Sequence, residues 1–182
     1  MNHATLKALL AAAVMLAAGC GKPAAAASAS PSPAAQLLSR DGYFTMDVPA
    51  GWEGMSITLD TNQIYVNQED VQISVKLDYL NGYTVQEQAH RETFSTDTYT
   101  YDETVPEGTA VVDGRIFYTA GPVADHGNLY YYLFGEWPPD PEKFINLSVE
   151  IFSTEDRAQM APVLAGDAYR SVLDSLKIHE NP

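Results

Sequence analysis

Between Val71 and Tyr79 apolar and polar residues alternate without a break. Val71, Ile73, Val75, Leu77 and Tyr79 take one side; Gln72, Ser74, Lys76 and Asp78 take the other. A period of two marks a strand with one packed face and one wetter face, the pattern of an antiparallel sheet. The same alternation predicts a strand at Phe44, Met46 and Val48, ended by Pro49-Ala50-Gly51 ahead of Trp52. Residues 55–59 and 63–67 read as short strands around the turn residues Asp60, Thr61 and Asn62, and 109–113 and 115–120 as a hairpin closed by Asp113-Gly114. Residues 128–136 hold Tyr130, Tyr131, Tyr132, Leu133 and Phe134, a run buried on both faces or showing tyrosines at its rim. Residues 144–152 form a further strand with Ile145, Leu147, Val149 and Ile151 inward. Trp137-Pro138-Pro139-Asp140-Pro141 between them is a loop, because prolines donate nothing to a ladder.

Helical spacing appears twice. After the turn at Asn81-Gly82, Thr84 stands three residues before Glu87, a capping box. It predicts a helix over 85–95 with Val85, Ala89 and Phe94 inward, followed by an acidic stretch over 96–106 that carries Tyr99 and Tyr101 and reads as an exposed loop, with a short strand as the alternative. Near the end, Ser153 or Thr154 caps a helix with Glu155 and Asp156 in its first turn. Pro162 opens another, with Ala165, Tyr169, Val172 and Leu176 as its apolar stripe and Gly166 as a weak point. The fold class is therefore α+β: an antiparallel β-sheet with packed helices.

The N-terminal stretch has a different pattern. Residues 1–7 are short and polar, ending in Lys7, and residues 8–18 are eleven uninterrupted apolar positions. A membrane-spanning helix needs about 20, so this run suits the h-region of an export signal. Leu16-Ala17-Ala18-Gly19-Cys20, which contains the one cysteine of the chain, resembles a bacterial lipobox. That resemblance implies diacylglycerol on Cys20, membrane anchoring in the cell envelope and, with Gly21 where an aspartate marks inner-membrane retention, an outer-membrane location facing the periplasm in a Gram-negative host. Ordinary secretion with cleavage at an Ala-x-Ala site beyond residue 23 is the alternative. Residues 22–36 are dominated by Ala, Pro and Ser and cannot build a core. The expected division is 1–19 signal peptide, 20–39 lipidated linker and 40–182 a single domain.

Composition narrows the classes of function. A formal net charge of −14 at pH 7 disfavours nucleic acid as a partner and suits the surface of a soluble envelope protein, with attraction of cations or basic partners as the alternative. With Cys20 carrying lipid, no thiol remains for a disulfide or a nucleophile. Glu87-x-x-His90 has the spacing of a carboxylate-bridged metal motif, but such sites need a second copy and two further glutamates. Asp125-His126 sits among glycines and reads as a turn, His179 lies in the tail, and Asn146-Leu147-Ser148 matches a glycosylation sequon by chance. No Gly-x-Ser-x-Gly elbow is present, so no catalytic, cofactor or metal residue is assigned. Tyr99, Tyr101, Tyr130, Tyr132 and Trp137 either pack in the core or gather as a recognition patch, with Tyr99, Tyr101 and Trp137 as the candidate partner surface.

The run from Gly42 to Trp52 (Gly-Tyr-Phe-Thr-Met-Asp-Val-Pro-Ala-Gly-Trp), the turn Val112-Asp113-Gly114-Arg115, and the ending Ile151-Phe152-Ser153 followed by Leu173-Asp174-Ser175-Leu176 resemble the PsbP/DcrB-like family over residues 40–178. The resemblance implies an α/β/α sandwich. Its relatives include photosystem accessory subunits, a lipoprotein tied to phage uptake, Ran-binding proteins and effector chaperones, mostly binding or assembly factors. A non-enzymatic envelope binding or assembly lipoprotein with an unidentified protein partner is therefore expected. The alternatives are an envelope hydrolase using carboxylates and an immunity or effector-chaperone protein.

Overall fold

The computed structural model describes residues 35–57, 62–93 and 108–182. Its centre is a seven-stranded antiparallel sheet in the order β3-β4-β5-β9-β8-β7-β6. The strands are β3 (Glu53–Ser56), β4 (Ile64–Gln68), β5 (Val71–Tyr79), β6 (Gly108–Val112), β7 (Arg115–Asp125), β8 (Asn128–Glu136) and β9 (Lys143–Ile151). Two meanders make it, β3-β4-β5 and β6-β7-β8-β9. They join where β9 pairs with β5 along its whole length, Val71 opposite Ile151 and Tyr79 opposite Lys143. Helix α1 (Val85–Thr93) follows β5 and packs over β7 and β8. A three-stranded sheet, β1 (Gln36–Leu38), β2 (Phe44–Asp47) and β10 (Lys177–Ile178), lies with α2 (Met160–Ala165) and α3 (Asp167–Ser175) against the other face. The architecture is α+β, with helices on both sides of an antiparallel sheet.

The alternation seen in β5 decides which face is which. Ile73 and Val75 meet Ile64, Val66, Leu147 and Val149 across the ladder and pack against Phe44, Met46, Met160, Val172 and Leu176. Each fully buried side chain of this kind contributes roughly 1.5–3 kcal/mol, so this face is where the domain derives its stability. The opposite face has a smaller apolar cluster, Leu80, Val85, Ala89, Ala120, Phe134 and Phe144, confined to the ground under α1.

Local chemistry explains the turns. Asp113 and Gly114 have φ of 48° and 75°, the two left-handed positions of a tight hairpin turn, and Gly114 takes that geometry without strain. The Asp113 carboxylate then accepts the Ile178 backbone N–H at 2.9 Å and Lys177 Nζ at 3.2 Å, fastening β10 to the turn. Arg115 adds an ion pair to Glu180 at 2.6 Å. The capping box forms: Thr84 N–H donates to Glu87 at 2.7 Å and Glu87 N–H to Thr84 Oγ1 at 3.1 Å.

Several expectations need correction. The ordered domain begins before residue 40: Leu37 opposes Met46 in β1, and its side chain packs on the core, so 36–38 are an edge strand and not linker. No helix starts at Ser153 or Thr154. Asp156 caps a 3-10 turn over Arg157–Gln159, accepting the Ala158 N–H at 3.1 Å. The last helix is two helices: Pro162 is tolerated in the first turn of α2, and Gly166 (φ −72°, ψ 154°) breaks the path before α3. Strand β7 runs on to Asp125 across a bulge between Ala120 and Val123, and Lys177–Ile178, for which no element was expected, pairs with β2. Cys20, Asp60, Thr61, Phe94 and the loop over 96–106 lie outside the described residues.

Candidate binding groove on the polar face of the sheet

The outward residues of β9, β8 and β5 form a gradient. Along β9 they run Phe144, Asn146, Ser148, Glu150; along β8, Phe134, Tyr132, Tyr130; along β5, Lys76, Ser74, Gln72. The first of each row on β8 and β9 is buried in the cluster with Val85 and Ala89 of α1. The rest become polar as the strands leave the helix. Register brings them side by side: Ser74 and Tyr132 flank Ser148, Lys76 and Phe134 flank Asn146, and Gln72 and Tyr130 flank Glu150. Together with Gln63 and Glu92 these residues line a groove of about 240 Å³.

Its floor is firm. Four rings form a continuous ladder: Tyr130 stacks on Tyr132 with centroids 5.8 Å apart, Tyr132 on Phe134 at 5.4 Å, and Phe134 meets Phe144 edge-on at 5.2 Å. The Ser74 and Ser148 hydroxyls are 3.0 Å apart and share a hydrogen bond. Asn128 Nδ2 donates to Glu150 at 3.1 Å and to the Tyr130 hydroxyl at 3.3 Å, holding the far end in place. Asn146 is only 8% exposed, and its Oδ1 is buried without a hydrogen-bond partner. A buried acceptor left unpaired costs about 1–3 kcal/mol; a fold selected for stability alone would place an apolar residue there.

Charge in the groove is negative and partly desolvated. Burial pushes the Glu92 carboxyl above the usual carboxylate range, and the negative charges of Asp78 and Asp125 add to it. A hydrogen bond from Gln88 at 2.7 Å and the nearby Arg91 oppose the shift. Burial likewise pushes the Tyr132 phenol up, with Glu92 adding to the effect, and Tyr130 moves the same way. Lys76, the cation of the lining, is held by Asp78 at 2.9 Å.

The expected partner surface is not assembled as the sequence suggested. Trp137 is 4% exposed and packs edge-on against Tyr43 at 5.1 Å, within the main core. It cannot serve as an exposed anchor, because the loop that carries it folds inward over Phe44. Tyr99 and Tyr101 lie outside the described residues, while Tyr130 and Tyr132 line the groove. On α1, Val85 and Ala89 are buried as expected, His90 is buried beside Ala89, and Glu87 is spent on the cap. Asp125-His126 forms the β7-β8 turn, with His126 at φ 49°. His179 is exposed, 3.4 Å from Thr45 Oγ1. Among the described residues no group of three or more His, Cys, Asp or Glu is arranged to hold a metal ion, and no helix is long and apolar enough to cross a membrane.

Asn146, Ser148, Glu150 and Glu92 were passed over as site residues. One signal was legible: a central strand covered on both sides should be apolar throughout, and residues 144–150 are not.

No family model matches the chain, and no curated protein matches it. Among solved structures, a mutant of the protein Mog1 aligns with 12% identity and a TM-score of 0.47, over 81% of this chain and 97% of that one.

Proposed function

We propose that this chain is a membrane-tethered binding protein of the cell envelope, anchored by lipid on Cys20, and that the polar groove is its binding element. The observation that carries the reading is Asn146, with a buried, unpaired Oδ1 on a groove floor of ordered hydroxyls and stacked rings. Polar groups placed at a cost in stability are characteristic of sites that bind. The anchor rests on Leu16-Ala17-Ala18-Gly19-Cys20, and kinship with PsbP/DcrB-like binding and assembly factors on the runs at 42–52, 112–115 and 151–153. Two acyl chains are sufficient for stable anchoring.

The test has two arms. Cys20→Ala should move the protein from the membrane to the soluble envelope fraction or stall its processing; unchanged fractionation with normal processing refutes the anchor. Crosslinking capture from intact cells should recover a partner or ligand with the native protein and lose it with Gln72→Trp, which fills the groove. Capture indifferent to that variant refutes the groove.

One observation favours a second reading, an envelope hydrolase. Glu92 and Glu150 line the same groove, and burial pushes the Glu92 carboxyl above the usual carboxylate range. A carboxyl raised in this way is suited to donating a proton to a leaving group. On this reading Glu92→Gln abolishes turnover while leaving capture of the bound molecule intact; on the binding reading capture weakens.

A further inference from the structure

We propose that the groove receives an alkylammonium or guanidinium group whose aliphatic stem lies along the ring ladder. This rests on the reading of the groove as the binding element and names its ligand class. Three features of the lining converge on it. The unpaired buried group is an acceptor, Asn146 Oδ1, so the missing partner is a donor. The lining carries two carboxylates, Glu150 beside Tyr130 and Glu92 near Tyr132, while Lys76, the one cation among the described lining residues, is already paired with Asp78. An anion entering would meet two carboxylates and, among the described lining residues, no cation that is not already paired. A neutral polyol would satisfy Asn146 but leave both carboxylates without a counter-charge in a partly desolvated site, where that interaction is strongest. The rings of Tyr132 and Phe134 supply apolar ground for methylenes beside the carboxylates.

The chemistry has two sources, a free polyamine or the lysine or arginine side chain of a partner protein, and calorimetry on the full-length lipidated protein in neutral detergent separates them. The probes are spermidine, the blocked amino acid amides of lysine and arginine, glucose and inorganic phosphate. Saturable binding of spermidine alone assigns the site to a free polyamine; binding of the blocked amides assigns it to a partner's side chain. Glucose and phosphate should give no saturable heat. Glu92→Gln, Glu150→Gln and Asn146→Leu should each weaken the cation by about tenfold or more, the loss of one charge-assisted or buried hydrogen bond. Asn146→Asp should strengthen it. Raising NaCl from about 50 to about 500 mM should weaken it further.

Circular dichroism and thermal melts confirm that each variant is folded. Binding of glucose or phosphate at the strength of the amines, or amine binding unmoved by all three weakening variants, overturns the proposal. If no amine binds but Gln72→Trp still abolishes capture in cells, the ligand class is wrong and the groove stands. If Gln72→Trp also changes nothing, both fall.

Discussion

At the scale of the residue, Asn146 and Glu92 are placed against the interest of stability. Asn146 keeps a buried acceptor unpaired. Asn146→Leu, close in size, should therefore stabilise the domain by about 1–3 kcal/mol, read as a higher urea midpoint, while weakening groove binding. A loss of stability would mean that Asn146 serves the fold. Glu92 has a definite sign. Burial raises its folded pKa above the unfolded value, so the folded state holds a proton through a window in which the unfolded state has lost it. Stability falls as pH rises through that window, and the full penalty is present above it. Glu92→Gln should thus raise the melting temperature at pH 7 and lose that advantage at pH values below the unfolded carboxylate pKa of about 4.3. Melts of the two proteins across pH check this directly. Glu87 on the same helix has the opposite sign. Its hydrogen bonds to Thr84, the backbone N–H foremost, depress the pKa, so its contribution is present above the unfolded value and is lost as pH falls through the folded one.

At the scale of the element, strand β5 and helix α1 carry the argument. Val75 is fully buried between Ile64 and Leu147, and Lys76 beside it faces the groove. Val75→Asp should cost several kcal/mol, a large share of a typical total of about 5–15; Lys76→Gln should cost under about 1 kcal/mol. Urea denaturation of both compares them, and equal losses would contradict the two-faced strand. Thr84→Ala removes the cap of α1 and should cost about 0.5–2 kcal/mol, with the loss concentrated in helix protection measured by amide exchange. Gly135 shows the same close fitting within β8: a Cβ there would lie 2.6 Å from the Phe117 ring, so Gly135→Ala should destabilise the packed face.

At the scale of the whole molecule, β1 sets a boundary that the packed domain has already crossed. Leu37 packs on the core and β1 pairs with β2 from Gln36 to Leu38. Deleting residues 22–34 should leave the melting temperature unchanged and, on the proposed lipid anchor, shorten the reach from the membrane by about 45 Å, at 3.3–3.6 Å per residue. Extending the deletion through Leu38 should lower the melting temperature, because it removes Leu37 and bares the edge of β2. Melts of the two truncations decide the boundary. If the protein works as a tethered binder, the shorter deletion also removes its in-cell phenotype when the partner stands away from the membrane.

Where the physics is local, the chain could be read directly. Alternation placed β5 on its own bounds, the Thr84–Glu87 box announced α1, and Asp113-Gly114 announced the hairpin, because strand faces, caps and tight turns depend on neighbours within a few residues. The short strands β1 and β10 were missed because three and two residues carry no period; they exist only through pairing with β2, residues far away in sequence. Trp137 was misplaced for the same reason, since nothing in a proline-rich loop says that it will fold over Tyr43 and Phe44. The groove lay furthest out of reach. Ser74 and Ser148 are separated by 74 residues, and Glu92 comes from a helix. Each looks like an ordinary wet-face residue until the order β5-β9-β8 sets their strands edge to edge. The sequence by itself determined strand β5 with its polar face, the cap of α1 and the Asp113-Gly114 hairpin. The tertiary structure alone decided that the polar face is partly covered, because only the placement of α1 over β7 and β8 turns a solvated surface into a groove with a buried, unpaired acceptor.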